Sequence, residues 1–480
     1  MNREIRRVSV ALLVMFFALC ASSTVITALQ ADNLRADGRN VRTLYDSYST
    51  QRGPILVDGE AIAYSTPVDS EYRYLRTYTQ PELYANITGY FTLNQGNTGI
   101  EGALNDYLSG TSNDQFFAQL NAIFTGQEAK GAAVELTIDP VVQQAAWDAL
   151  GDHHGAVVAL DPQTGAVLAM VSKPSYDPNL LASHSTSEVM NAYDSLLADP
   201  SDPLINRAIT GDLYHPGSTF KVIASAAALD SGAMTPDTAV PNPAQLQLPQ
   251  SNSVVHNAGG GTCGPGEQVT LADALRLSCN IPFAEIGGAL GDDLMRQYAE
   301  AFGFGRPLSV PMRVTPSHYP DNPDAAQTML SAFGQSDVRA TPLQMAMVSA
   351  AVANGGVLLK PELVESIIAS DLSEIEGFQP EVYSNPISPE TSATLVQLMV
   401  NNVANGAASN ARISGVNVGG KTGTSENGEG EPYTLWFTGF APAEDPQVAV
   451  AVVIEDGGRS SGNAEAAPIA RRVMEAVLSR

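Results

Sequence analysis

A serine and a lysine stand three residues apart in Pro216-Gly217-Ser218-Thr219-Phe220-Lys221, and the stretch that follows, Val222 to Leu229, is apolar and alanine-rich. The spacing predicts a buried helix opening at Ser218, with Ser218 and Lys221 on one face about 5–6 Å apart between Cβ atoms. That pair is a nucleophile beside its base. A serine hydroxyl is a weak nucleophile at its free pKa, so the lysine that activates it must be largely neutral, which a desolvated pocket and a second cation both favour. Lys421 is the cation the sequence offers. Ser-x-x-Lys alone occurs by chance in many chains. Two further clusters in fixed order, Ser278-Cys279-Asn280 and Lys421-Thr422-Gly423-Thr424, single this one out.

The ordered trio resembles the signature of the penicillin-interacting serine enzymes, with Cys279 at the middle position of the second cluster, where that signature has Asp. The resemblance implies that Ser218 forms an acyl-enzyme and that Lys221 accepts its proton. It implies that Ser278 and Asn280 relay protons and hold the substrate amide, while Lys421 supplies positive potential. Thr422, Gly423 and Thr424 would form the substrate-binding strand, its threonines taking the terminal carboxylate. The backbone N–H groups of Ser218 and Thr424 would form the oxyanion hole. The fold implied is mixed α/β (α+β), an antiparallel sheet flanked by helices, with a smaller amino-terminal module and one transmembrane helix.

The chain has 480 residues, 44% hydrophobic and 16% charged, enough for two or three folded units. Its formal net charge of −26 repels a phosphate backbone, so nucleic acid is not an expected partner. Val8 to Gln30 carries no charge over roughly 23 residues and is long enough to span a bilayer as one helix. A cleaved signal peptide would have a shorter apolar region. Leu19 precedes Cys20 where a lipoprotein has a small residue, so Cys20 is read as a lipid-facing or packed apolar residue. Arg3, Arg6 and Arg7 before the span are matched by Arg35, Arg39 and Arg42 after it, so loop charge does not set the orientation. The large domain is placed outside because the implied substrate is there. The expected division is a cytoplasmic tail at 1–7, an anchor at 8–30, an amino-terminal pedestal at 31–135 and a transpeptidase domain at 136–480.

Within the pedestal, Arg52-Gly53-Pro54-Ile55, Arg76-Thr77-Tyr78 and Gly99-Ile100-Glu101 resemble the motifs of the amino-terminal module of class B penicillin-binding proteins, with Thr79 where the family usually has Pro. They are expected to form interdomain Arg–Glu pairing and turns, on a surface for partner docking without catalytic groups. The segment is too short for a glycosyltransferase module, and little follows the third motif beyond the domain itself, so a monofunctional enzyme is expected.

In the larger domain, Gly155 to Leu160 and Ala166 to Ser172 read as a hairpin around Asp161-Pro162-Gln163-Thr164-Gly165, whose apolar residues would form the sheet against which the Ser218 helix packs. Helical patterns occupy much of 220–300, and a further helix is expected over 342–354. Strands are expected over 416–420, 434–440 and 448–454, and a closing helix over 466–478. Phe333-Gly334-Gln335-Ser336 with Thr341 to Ala346, and Trp436 to Pro442, extend the resemblance, which spans the whole chain and is nearest the actinobacterial penicillin-binding protein A subgroup.

Several patterns are decoys. Gly458-Arg459-Ser460-Ser461-Gly462 looks like a nucleophile elbow, but no histidine follows it, His318 being the last. His215 is separated from Ser218 by Pro216 and Gly217, which make a turn. His153-His154 lacks the spacing and acidic companions of a zinc site, so no metal or cofactor is expected. Glu101 to Asn105 mimics the segment that activates the deacylating water in class A β-lactamases but precedes Ser218, so rapid hydrolysis is disfavoured. The implied activity is D,D-transpeptidation of peptidoglycan stem peptides with release of D-Ala, inhibited by β-lactams, with division or elongation membrane proteins as partners. The alternatives are a D,D-carboxypeptidase or β-lactamase and a non-catalytic β-lactam sensor or scaffold. In an oxidising compartment Cys263 and Cys279, the only cysteines beyond the span, leave one intramolecular pairing, and a disulfide between them is expected.

Overall fold

The computed structural model describes residues 2–26, 30, 48–70, 72–115 and 130–480. Helix α1 (Asn2–Thr24) opens the chain. Its stretch Arg3–Thr24 is the one helix among the described residues long and apolar enough to cross a membrane, and none of it is buried in the protein. The helix starts six residues before the expected apolar span because Asn2 to Arg7 continue its turns. Part of that span (27–29), and Arg35, Arg39 and Arg42, lie outside the described residues.

Strands β1 (Ile55–Val57), β2 (Glu60–Pro67), β3 (Tyr74–Tyr78) and β4 (Ala133–Leu136) are followed by helix α2 (Pro140–Leu150) and the hairpin β5 (Gly155–Leu160) and β6 (Val167–Lys173). Asp139 accepts from the N–H groups of Val141 and Val142, and Pro140 occupies the first helical position, so α2 starts at a side-chain cap followed by proline. Helices α3 (Lys221–Asp230), α4 (Leu271–Leu277), α5 (Asn280–Leu290) and α6 (Pro342–Ala353) come next, then strands β7 (Val364–Ile368) and β8 (Glu374–Gly377). Helix α7 (Pro389–Asn405), strands β9 (Gly419–Ser425), β10 (Thr434–Ala441) and β11 (Val448–Ile454), and helix α8 (Ala466–Leu478) complete the chain.

Two sheets organise these elements. The first runs β8-β7-β4-β1-β2-β3, so it draws strands from both sides of residue 135. The second runs β9-β10-β11-β5-β6 and is antiparallel throughout. Strands β10 and β11 are buried at every position because α8 covers one face and α6 the other, while α2 packs beside α8 on β5 and β6. That burial explains why Val448 to Ile454 reads as a continuous apolar run rather than an alternation. In α8 the buried residues Ala466, Ile469, Ala470, Val473, Met474 and Val477 follow the three- and four-residue spacing of one helix face.

The hairpin β5–β6 forms the far side of this sheet from β9. The turn carrying Ser218 packs on β9 and β10, and α3 beyond it packs among α4, α5, α7 and the helix Asp292–Ala301, so the hairpin is not its support. Between α3 and α4 the expected helical pattern gives way to two ribbons, 239–241 with 268–270 and 245–247 with 254–256.

The amino-terminal motifs meet on one carboxylate. Arg52 Nε lies 2.5 Å from Glu101 Oε2 and Arg76 Nε 2.6 Å from Oε1, with all three side chains essentially inaccessible. The pairing is therefore within the module, not between domains. Arg52 also donates to the Glu101 carbonyl at 2.6 Å and Arg76 to the Gly53 carbonyl at 2.8 Å, which ties the three motifs together. Burial pushes the Glu101 carboxyl up, but the guanidiniums of Arg76 and Arg52 outweigh it and hold the group below its ordinary value. Glu101→Ala leaves two guanidiniums buried without their counter-ion and is expected to cost about 3–5 kcal/mol. The midpoint of thermal unfolding measures this; a value unchanged from that of the unsubstituted protein would contradict it.

Candidate active site

Ser218 sits on a 3₁₀ turn, Gly217–Phe220, and the α-helix begins only at Lys221. The delay has local causes: Gly217 adopts φ +52°, and the Thr219 hydroxyl bonds back to the Pro216 carbonyl at 2.6 Å. Gly217 also has no room for a side chain, since a Cβ there would lie 2.4 Å from Ser425 Oγ. The turn is tied to the sheet through the His215 carbonyl, which accepts from Ser425 Oγ and Trp436 Nε1, both at 2.9 Å. His215 thus acts through its backbone, and its Nδ1 lies 3.1 Å from the Val338 carbonyl.

Lys221 and Lys421 are both fully buried and converge on Ser278 from two elements. Lys221 Nζ donates to the Ser278 carbonyl at 2.8 Å and to Asn280 Oδ1 at 2.9 Å. Lys421 Nζ donates to Ser278 Oγ at 2.7 Å and to the Thr422 carbonyl at 2.9 Å. Ser278 ends α4 in the left-handed conformation, φ +60°, which turns its hydroxyl and its carbonyl to different lysines. Burial, and then the charge of Lys421, hold the Lys221 amine well below the ordinary lysine value. Burial alone brings Lys421 down to about 7. A neutral amine has two N–H donors and one lone pair; with both N–H groups of Lys221 engaged, the lone pair is free to take a proton.

The cleft beside Ser218 has a volume of about 330 Å³ and is lined by Ser218, His256, Asn280, Phe333, Thr424 and Glu426 among others. Along β9 the side chains alternate, so Lys421, Gly423 and Ser425 face the Ser218 turn. A Cβ on Gly423 would lie 2.8 Å from the Pro216 carbonyl. Thr424 reaches the cleft and accepts from Gly462 N–H at 3.1 Å. Thr422 is buried and donates to the Ala407 carbonyl at 3.2 Å, so Thr424 is the motif threonine that lines the cleft.

Cys263 and Cys279 form a disulfide with Cα atoms 5.6 Å apart. It closes a loop of about 15 residues, which corresponds to about 3 kcal/mol in the chain-entropy account. Asn242, fully buried, clamps the Cys263 end: its Nδ2 donates to the Cys263 and Gly266 carbonyls, and its Oδ1 accepts from Cys263 N–H. Two of the decoy side chains are engaged elsewhere. Ser460 Oγ donates to Glu465, and Glu101 is locked between its two arginines.

Sequence reasoning left the 333–336 loop without a backbone role. The structure gives it one: Gly334 accepts from Gly217 N–H at 3.1 Å, and a Cβ on it would lie 2.1 Å from Gly217 O. Asn242, Asn257 and Ser425 were also missed; Ser425 directly follows the third motif, whereas the two asparagines lie in a stretch with no periodicity.

A Ser-x-x-Lys turn with its serine at a cleft and its lysine buried, against the edge of a helix-covered antiparallel sheet and with the second and third clusters converging on it, is the arrangement of a penicillin-binding transpeptidase domain. Residues 155–475 match the family described as the penicillin binding protein transpeptidase domain, and residues 52–134 match the penicillin binding protein A dimerisation domain. The chain belongs to the penicillin-binding protein transpeptidase family. It is 45% identical to the peptidoglycan D,D-transpeptidase PbpA of Mycolicibacterium smegmatis, over 100% of this chain and 99% of that protein. It is 42% identical to PbpA of Mycobacterium tuberculosis, over 100% and 99% of the two chains. The solved penicillin-binding protein A from M. tuberculosis, as its ceftriaxone acyl-enzyme complex, matches with a TM-score of 0.87 at 41% identity, covering 90% of this chain and 100% of that one. Its penicillin G acyl-enzyme complex matches with a TM-score of 0.85 at the same identity and coverage.

Gly334→Ala drives a Cβ into the Gly217 backbone next to Ser218, so labelling by a fluorescent penicillin is expected to slow by about 10- to 100-fold. Stopped-flow measurement checks this, and a rate within two-fold of the unsubstituted protein, roughly, would contradict it.

Proposed function

We propose that the chain is a membrane-anchored peptidoglycan D,D-transpeptidase that works through an acyl-enzyme on Ser218. The observation that carries this reading is the pair of buried lysines converging on Ser278 beside the Ser218 turn. The Lys221 lone pair takes the Ser218 proton as Oγ attacks the carbonyl of the penultimate D-Ala. The N–H groups of Ser218 and Thr424 hold the developing oxyanion. The proton that Lys221 took is passed on through Ser278, whose Oγ accepts from Lys421, to the leaving amine; D-Ala departs with the C–N bond broken, and Lys221 is neutral again. An amine of a neighbouring stem then attacks the ester, its proton returns to Ser218 through Lys221, and the cross-link is made. Asn280 orients the scissile amide, and Thr422, Gly423 and Thr424 form the strand that receives the terminal carboxylate, with Thr424 in direct reach of the cleft.

A β-lactam presents the same carbonyl in its ring and acylates Ser218. Hydrolytic turnover has no support from Glu101, whose carboxylate is held by two guanidiniums away from the cleft. Residues 8–30 serve as the anchor, with 1–7 cytoplasmic, 31–135 a pedestal and 136–480 the transpeptidase domain outside the cell, where division or elongation membrane proteins dock on the pedestal. The exposed apolar α1 supports the anchor.

Ser218→Ala is expected to abolish labelling by a fluorescent penicillin, and Lys221→Ala to slow acylation by about 10²–10⁴-fold. Peptide mapping that found the label on another serine would sink the assignment. The pH dependence has a definite sign. Lys221 acts when neutral, so acylation rises as pH rises through its lowered pKa. Lys421→Ala removes a like charge, raises the Lys221 pKa and moves that acidic limb to higher pH. A limb that stays in place or moves to lower pH would count against the coupling.

A further inference from the structure

Helix α5 begins at Asn280, and its capping position is Cys279. A residue there ordinarily offers a side-chain oxygen to the first N–H groups of the helix, which have no partner within it. Cys279 makes no such bond, because its sulfur is joined to Cys263. The N–H groups of Asn280 and Ile281 donate instead to Oδ1 of Asn257, each at 3.0 Å. Asn257 is only 5% exposed, and its Nδ2 donates to the Gly261 carbonyl at 3.1 Å, so both ends of its amide are committed. Asn280 Nδ2 donates to the neighbouring His256 carbonyl at 3.1 Å, while its Oδ1 accepts from Lys221 Nζ at 2.9 Å. A continuous set of hydrogen bonds therefore runs from Asn257 through Asn280 to the amine beside Ser218.

We propose that Asn257 is a positioning residue for acyl transfer, a remote helix cap that sets Asn280, and through it Lys221, in place of the side-chain cap that the disulfide removes. The proposal rests on the reading of Ser218 as nucleophile and Lys221 as its base. The disulfide and Asn257 divide one task. The bond ties the loop covalently at Cys279, and Asn257 orients the two residues that follow. Loss of the Asn257 oxygen leaves two buried N–H groups without partners at the start of α5 and frees Asn280 to rotate away from Lys221. Both changes act at Asn280 and Lys221, beside the bond being broken, and leave the Thr422–Thr424 strand untouched, so the effect falls on the rate of bond formation more than on initial binding.

The test uses the full-length chain in detergent and a fluorescent penicillin, with the dissociation constant of the first complex and the limiting acylation rate constant measured separately by stopped flow. Asn257→Ala is expected to lower the limiting rate constant by about 10- to 100-fold and to leave the dissociation constant within about three-fold. Asn257→Asp keeps the accepting oxygen and is expected to recover to within about three-fold of the unsubstituted rate. A Cys263→Ala/Cys279→Asp background supplies a local cap, and there the penalty of Asn257→Ala is expected to shrink to about three-fold or less. Should Asn257→Ala not fold, Asn257→Ser takes its place in both backgrounds. An unchanged limiting rate, an Asp variant no faster than the Ala variant, or an equal penalty in both backgrounds would each overturn the role. Persistent labelling of Ser218→Ala would instead overturn the nucleophile itself. Loss of label there, with an unchanged rate in Asn257→Ala, would remove only the positioning role.

Discussion

Two lysine amines share one buried pocket. Lys221 and Lys421 both have no accessible surface, and Ser278 separates them by accepting one amine at its carbonyl and the other at its hydroxyl. Burial disfavours charge on either, and charge on one disfavours charge on the other. The result is one amine held well below the ordinary lysine value next to a second brought down to about 7. The rest of the domain serves this arrangement: β9 carries Lys421, α3 carries Lys221, and the αL residue at the end of α4 carries Ser278.

Holding two such groups together requires rigid surroundings, and the contacts around them are backbone-to-backbone or short side-chain clamps. Gly217, Gly334 and Gly423 let three chain segments approach at distances that no Cβ would permit. Ser425 and Trp436 fix the His215 carbonyl at the foot of the Ser218 turn. On the opposite side the disulfide and the buried Asn242 fix the 263–279 segment. The amino-terminal module has its own buried charge centre at Glu101, which explains why a carboxylate in that sequence context is structural.

Much of this was legible in the sequence because the signals are local. Strand β11 and helix α8 begin and end where the apolar patterns do, since turn formers bound them and both lie on one core. The three chemical clusters were legible by residue type, and the disulfide by elimination once the domain was placed outside. Other features were not, for physical reasons. The 3₁₀ turn at Ser218 depends on a glycine with positive φ and a hydroxyl bonding backwards, so the α-helix starts at Lys221, three residues after the expected opening at Ser218. The ribbons between 239 and 270 have three-residue strands, too short to carry a period. The pairing of β7 with β4 and the closing of Asn257 onto Asn280 join segments distant in sequence, and no spacing rule reaches them. Thr422 reads as a twin of Thr424, yet it is spent on the Ala407 carbonyl.

The central claim is that Lys221 is neutral in the folded protein because it is buried beside Lys421. The most direct measurement is a pH titration of the lysine side chains by NMR, using full-length protein labelled with ¹³C at lysine Cε and assigned with single Lys→Arg variants. Lys221 is predicted to titrate well below the ordinary 10.5, and Lys421 near 7. Titration of both amines in the ordinary lysine range would contradict the account.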